Sequence, residues 1–79
     1  MPKIYEFRRN NQEKIIIQIQ EYKGKEYLDI RIYYDDSGGR ETEWSPTPKG
    51  IKIKPELLPE LLKGLEKARE TIKERAKNV

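Results

Sequence analysis

Two alternating runs joined through one glycine constrain this chain more than any other feature. Residues 14–22 read KIIIQIQEY, residues 26–34 read EYLDIRIYY, and Lys23-Gly24-Lys25 lies between them. Sustained alternation has the period of a β-strand, because successive side chains point to opposite faces. Ile15, Ile17 and Ile19 therefore share one face, and Ile16, Gln18, Gln20 and Tyr22 the other. On the second run Leu28, Ile30 and Ile32 share a face, Tyr27, Asp29, Arg31 and Tyr33 share the opposite one, and Tyr34 closes the strand. A glycine that accepts positive φ between two such runs predicts a tight hairpin. An antiparallel sheet is thus the frame, and its isoleucine and leucine face is the expected core side.

The rest of the chain extends that frame. KIYEFR, residues 3–8, predicts a short first strand, with a turn at Asn10-Asn11-Gln12. Asp35-Asp36-Ser37-Gly38-Gly39 predicts a turn after the second long strand. RETEWS, residues 40–45, predicts a return strand that Pro46 and Pro48 break. IKIK, residues 51–54, predicts a last short strand with Ile51 and Ile53 inward. From Pro55 the apolar period changes to about 3.6 residues. Leu58, Leu61, Leu62, Leu65, Ala68, Ile72, Ala76 and Val79 then form one helical stripe. Pro55 suits the helix start. Gly64 costs about 1 kcal/mol in a helix interior, which either a close helix–helix or helix–sheet contact or a tolerated defect explains. Glu66, Glu70 and Glu74 interleave with Arg69, Lys73 and Lys77 as a solvated face. The expected architecture is α+β, β-β-β-β-α, a single domain over residues 1–79. A four-stranded antiparallel sheet covers about residues 3–54, with segment 40–45 as a candidate fifth strand, and the helix covers about 55–77. One helix covers one sheet face, so the face bearing Gln18, Gln20, Tyr22, Tyr27, Arg31 and Tyr33 stays open.

Composition narrows the function classes. At 79 residues with 34% hydrophobic content, the chain has little to bury. It has no cysteine and no histidine, so disulfides and structural zinc are not the staple, and self-association is. The same absence removes the commonest general base and the best nucleophile, so the chain reads as no enzyme and needs no cofactor. Asp35-Asp36 lacks the ligand spacing of a calcium hand, and Ser37-Gly38-Gly39 opens no phosphate-binding helix; a hairpin turn accounts for both. A net charge of +3 and a pI near 9.2 favour an anionic partner. No apolar run reaches transmembrane length and the N-terminus does not read as a signal peptide, so no membrane partner is expected.

Single-stranded nucleic acid asks two things of a protein: cations that track phosphates, and flat rings that stack on bases. Tyr22, Tyr27 and Tyr33 supply rings, and Lys23, Lys25, Arg31, Lys49 and Lys52 supply charge. Trp44, in a polar segment bounded by prolines, is a further ring. The same residues also suit a plain sheet face, where cross-strand tyrosine pairs are stabilising, or a protein interface.

The run IIIQIQEYKGKEYLDIRIYY followed by PKGIKIKPELLPELL resembles the positive cofactor four family of transcriptional coactivators. The likeness spans about residues 14–75. It rests on an order of parts: a strand ending in an aromatic, Lys-Gly-Lys, a strand with Asp-Ile-Arg, an aromatic pair, a variable loop, Lys-Gly-Ile and a Pro-Glu helix. The resemblance implies a curved four-stranded sheet and a homodimer in which the helices pair. The stripe of Leu58, Leu61, Leu65, Ala68 and Ile72 is the candidate interface. It implies single-stranded or melted DNA held on the sheet with little sequence preference, bases stacking on Tyr22 and Tyr34, and basic contacts from Lys23, Lys25, Arg31 and Lys49. Gln20 stands where eukaryotic members often carry a basic residue, and Tyr34 where they carry tryptophan; both predict weaker binding. The loop from Asp35 to Pro48 is longer than the family's, so its contacts do not transfer. With no Ser-rich acidic arm before the domain, the chain reads as a minimal, prokaryotic-type member. The expected role is in transcription, repair or replication, with RNA polymerase or other transcription or repair proteins as further partners. The expected location is the cytoplasm, on the nucleoid, in a prokaryote, and the nucleus in a eukaryote. Rival readings are a protein-interaction cofactor and a single-stranded RNA binder using the same face.

Overall fold

A computed structural model of the chain describes residues 3–77; Val79, the last member of the expected stripe, lies outside them. Strands β1 (Lys3–Arg8), β2 (Glu13–Tyr22), β3 (Lys25–Asp35) and β4 (Trp44–Ile53) lead into a 3-10 turn at Pro55–Leu57 and helix α1 (Leu58–Lys77). The strands form one antiparallel sheet in the order β1-β2-β3-β4, so the β-β-β-β-α architecture is as the sequence predicts. β2 and β3 pair without a slip from Tyr22↔Lys25 to Glu13↔Tyr34. Their turn holds Lys23 at φ 52° and Gly24 at φ 77°. Both central residues are left-handed, as in a type I′ hairpin, so Lys23 shares a conformation the sequence assigned to the glycine alone.

The return segment differs from expectation. Turns and bends occupy Asp36 to Thr42, segment 40–45 adds no fifth strand, and one strand runs from Trp44 to Ile53 through both prolines. Two features allow this. β4 is a sheet edge, where proline leaves no ladder bond unmade. Between the pairs Tyr33↔Pro46 and Arg31↔Gly50, Thr47, Pro48 and Lys49 bulge out opposite Ile32. Thr47 closes the bulge: its Oγ1 donates to the Ile32 carbonyl at 2.7 Å and accepts from the Lys49 N–H at 3.1 Å. Beyond the bulge Gly50 is pressed against β3, where an added Cβ would lie 2.5 Å from the Ile30 carbonyl oxygen.

The expected layering of one helix on one sheet face does not form within the chain. The 3-10 turn, rather than the body of α1, lies against β3. Leu58, Leu62, Leu65 and Ile72 are exposed on α1, and Gly64 has open space around it within the chain. On the sheet, Ile15, Ile17 and Ile19 are only half-buried, and Ile16 and Leu28 are the buried apolar residues among those described. The radius of gyration is 15.4 Å, against about 12 Å for a compact domain of this length. Among the described residues no helix is long and apolar enough to cross a membrane.

Candidate nucleic-acid interface

Strand register decides which side chains share the polar face. The pairs Lys14↔Tyr33, Ile16↔Arg31, Gln18↔Asp29, Gln20↔Tyr27 and Tyr22↔Lys25 bring one side of the hairpin together. β1 adds Glu6 and Arg8, and β4 adds Lys52 and Trp44. Directly opposed residues of an antiparallel pair point the same way, so these form one surface. From Lys14 to Tyr22 it runs about 26 Å, eight residue steps of about 3.3 Å.

Its two ends are aromatic and cationic. At the hairpin end Tyr22 is 60% exposed, and the Lys23 ammonium lies 5.4 Å from its ring centroid. Lys25, Tyr27 and Lys52 complete this end, where Lys25 and Tyr27 also line a cleft with Lys54. At the other end the Lys14 ammonium is 4.4 Å and the Arg8 guanidinium 5.5 Å from the Trp44 ring. Carboxylates balance these two cations: Lys14 lies 2.8 Å from Glu6, and Arg8 pairs with Glu41. Lys14, and then Lys3, hold the Glu6 carboxyl below its ordinary value.

The centre is built differently. Asp29 is 0% exposed, and its carboxylate accepts from Arg31 Nη2 at 2.9 Å and from Arg31 Nε at 3.3 Å. Arg31 Nη1 donates to the Thr47 carbonyl at 2.9 Å, which ties the centre to the β4 bulge. Gln18 Nε2 donates to the Tyr33 hydroxyl at 2.8 Å and to Asp29 at 3.3 Å. Hydrogen bonding to Asp29 raises the Arg31 pKa above its already high ordinary value. The cation is permanent, and it is paired with Asp29.

Of the residues expected to touch nucleic acid, the polar face gathers Tyr22, Lys25, Tyr27, Arg31, Tyr33, Trp44 and Lys52, with Lys23 at the hairpin tip. It does not gather Tyr34 or Lys49. Tyr34 is 40% exposed but has the parity of Ile30 and Ile32, at the opposite end of the hairpin from Tyr22. Lys49 sits in the bulge and lines a shallow groove of the apolar face with Ile15, Ile30, Ile32 and Ile51. Gln18, Asp29, Lys14 and Arg8 were not among the expected contacts. Gln18 and Asp29 stood in the alternating pattern, but only the cross-strand register reveals their pairing. Helix residues Leu58, Leu61, Leu65, Ala68 and Ile72 lie on α1.

Four antiparallel strands in one open sheet and a single trailing helix define a class of small α+β proteins. A model of the family described as Transcriptional Coactivator p15 (PC4) matches residues 9–64, and the chain belongs to that family. It is a family of DNA-binding coactivators without enzymatic activity. The chain is similar to the crystal structure of BPSL1147, a PC4 homolog from Burkholderia pseudomallei. In the orthorhombic form the identity is 32%, the TM-score 0.78, and the match covers 86% of this chain and 88% of that one. In the tetragonal form the identity is 32%, the TM-score 0.77 and the coverage 86% and 96%. A comparison with curated proteins gives no match.

Proposed function

We propose that the protein holds single-stranded or melted DNA on the polar sheet face, with little sequence preference, as a dimer acting in transcription, repair or replication. The observation that carries this reading is the open face of a family member, with rings and cations at both ends of a path about 26 Å long. Lys23, Lys25 and Lys52 neutralise phosphates, and Tyr22, Tyr27 and Trp44 stack on bases. Pairing through the exposed stripe of α1 completes the dimer. In a prokaryote the protein works in the cytoplasm on the nucleoid, and in a eukaryote in the nucleus, beside RNA polymerase or repair proteins.

Fluorescence anisotropy with a labelled mixed-sequence 20-mer tests the reading. The single strand binds more tightly than its duplex, and binding weakens with salt by a log–log slope of about 0.7 per phosphate neutralised. Tyr22→Ala loses about 5- to 150-fold in affinity, the equivalent of one stacked base at about 1–3 kcal/mol. Equal affinity for strand and duplex, or an unchanged Tyr22→Ala variant, refutes it. An RNA of the same sequence, which differs at the 2′-hydroxyl, separates the RNA reading from the DNA one.

A further inference from the structure

We propose that Asp29 is a positioning residue of the nucleic-acid face: it cancels the charge of Arg31 and aims its guanidinium, so the centre of the face contacts a nucleotide through hydrogen bonds without releasing a counterion. The inference rests on the single-strand reading above. The Asp29 side chain is fully buried, while that of Arg31 is 20% exposed, so the carboxylate is sealed behind a guanidinium that still reaches the surface. The two Asp29 oxygens accept from Arg31 Nε and Nη2, and the Thr47 carbonyl accepts from Nη1. A guanidinium has five N–H donors; these bonds occupy one on each nitrogen and leave two. The planar fork, fixed on two sides, cannot swing toward a passing phosphate.

A phosphate near Arg31 would meet the Asp29 carboxylate a few ångströms further in, and the repulsion offsets most of the attraction. A neutral group with its own donors and acceptors meets no such opposition. The nucleobase edge is that group. Neighbouring atoms fit the same ligand: Gln18 Nε2 is committed to Asp29 and the Tyr33 oxygen, which leaves the Tyr33 hydroxyl proton to donate outward. The face therefore divides into a cationic hairpin end, where Lys23, Lys25 and Lys52 meet phosphates and release counterions, and a charge-balanced centre that holds a base.

Salt-dependent affinity for the labelled single-stranded 20-mer tests this in the full chain. Asp29→Asn keeps the shape and frees one positive charge; the log–log slope steepens by about 0.7, and low-salt binding tightens. In Asp29→Asn/Arg31→Gln the net charge is that of the wild type; the slope stays at the wild-type value while affinity falls at every salt concentration. A role confined to holding β3 and β4 together would lower the melting temperature without moving the slope. An unchanged slope in folded Asp29→Asn overturns the proposal. So does a double variant whose slope is shallower by about 0.7, since Arg31 would then have been a counterion already. If circular dichroism shows Asp29→Asn unfolded, the double variant decides alone. A wild type that does not bind the single strand overturns the functional reading and this inference together; a wild type that binds, with slopes against expectation, overturns this inference only.

Discussion

At the scale of single residues, one carboxylate organises the connection between β3 and β4. Asp35 accepts from the Ser37 hydroxyl, from the Ser37 N–H at 2.9 Å and from the Glu41 N–H at 3.1 Å. Ser37 passes the order on, accepting from the Thr42 N–H at 3.1 Å. The Ser37 hydroxyl first, and then the Ser37 N–H, hold the Asp35 carboxyl below its ordinary value. A folded-state pKa below the unfolded one adds stability that is full above the unfolded value and is lost as pH falls through the folded value. Asp35→Asn removes that contribution. The gap between wild type and Asp35→Asn, read as urea midpoints, is therefore constant from about pH 7 to about pH 5 and closes below about pH 4. A gap that persists in acid would show that Asp35 acts through its shape and not its charge. The sequence marked this stretch as a turn through its Asp, Ser and Gly residues, whose side chains bond their own backbone. It did not show Asp29 linked to Tyr33 through Gln18, because Gln18 comes from another strand and joins only through register.

At the scale of elements, the strands that were legible are those whose patterns are local. β1, β2 and β3 follow from alternation, and the helix from the change of period at Pro55. β4 was read as two pieces because proline ordinarily ends a strand. Its continuity depends on its place at the sheet edge and on the bulge at Thr47–Lys49, which neighbouring residues do not encode. The role of Gly50 was hidden for the same reason. An alanine there places Cβ 2.5 Å from the Ile30 oxygen and 2.9 Å from the Arg31 Cα, both backbone atoms that move only if the strands part. Gly50→Ala should lower stability by about 1–3 kcal/mol, the usual range for overpacking. Urea unfolding measures the loss, and amide shifts at Ile30 and Arg31 should locate it; a neutral Gly50→Ala would mean β4 lies further from β3 than described. The helix was legible as a helix but not in its placement. An apolar stripe says that something is covered, not by which chain.

At the scale of the whole molecule, exposed leucines on α1 and half-buried isoleucines on the sheet leave the chain short of a core of its own. The proposed pairing through α1 would supply that burial. The wild type should sediment at twice the mass of the 9.4 kDa chain, with a melting temperature that rises with concentration. Leu65→Glu, which puts a charge on the exposed stripe, should shift it to monomer or unfold it; a wild type that stays monomeric with a concentration-independent melt would refute association through α1. One feature of the sheet limits how copies can meet. Both outer strands are blunted: β4 by Pro46, Pro48 and its bulge, β1 by a register irregularity between Lys3 and Tyr5 and by the charges of Lys3, Glu6 and Arg8. Neither rim offers a neighbour a clean row of amide and carbonyl groups to zip onto. Copies crowded side by side along one nucleic-acid strand would thus remain separate beads, free to slide and leave, instead of fusing into a continuous ribbon.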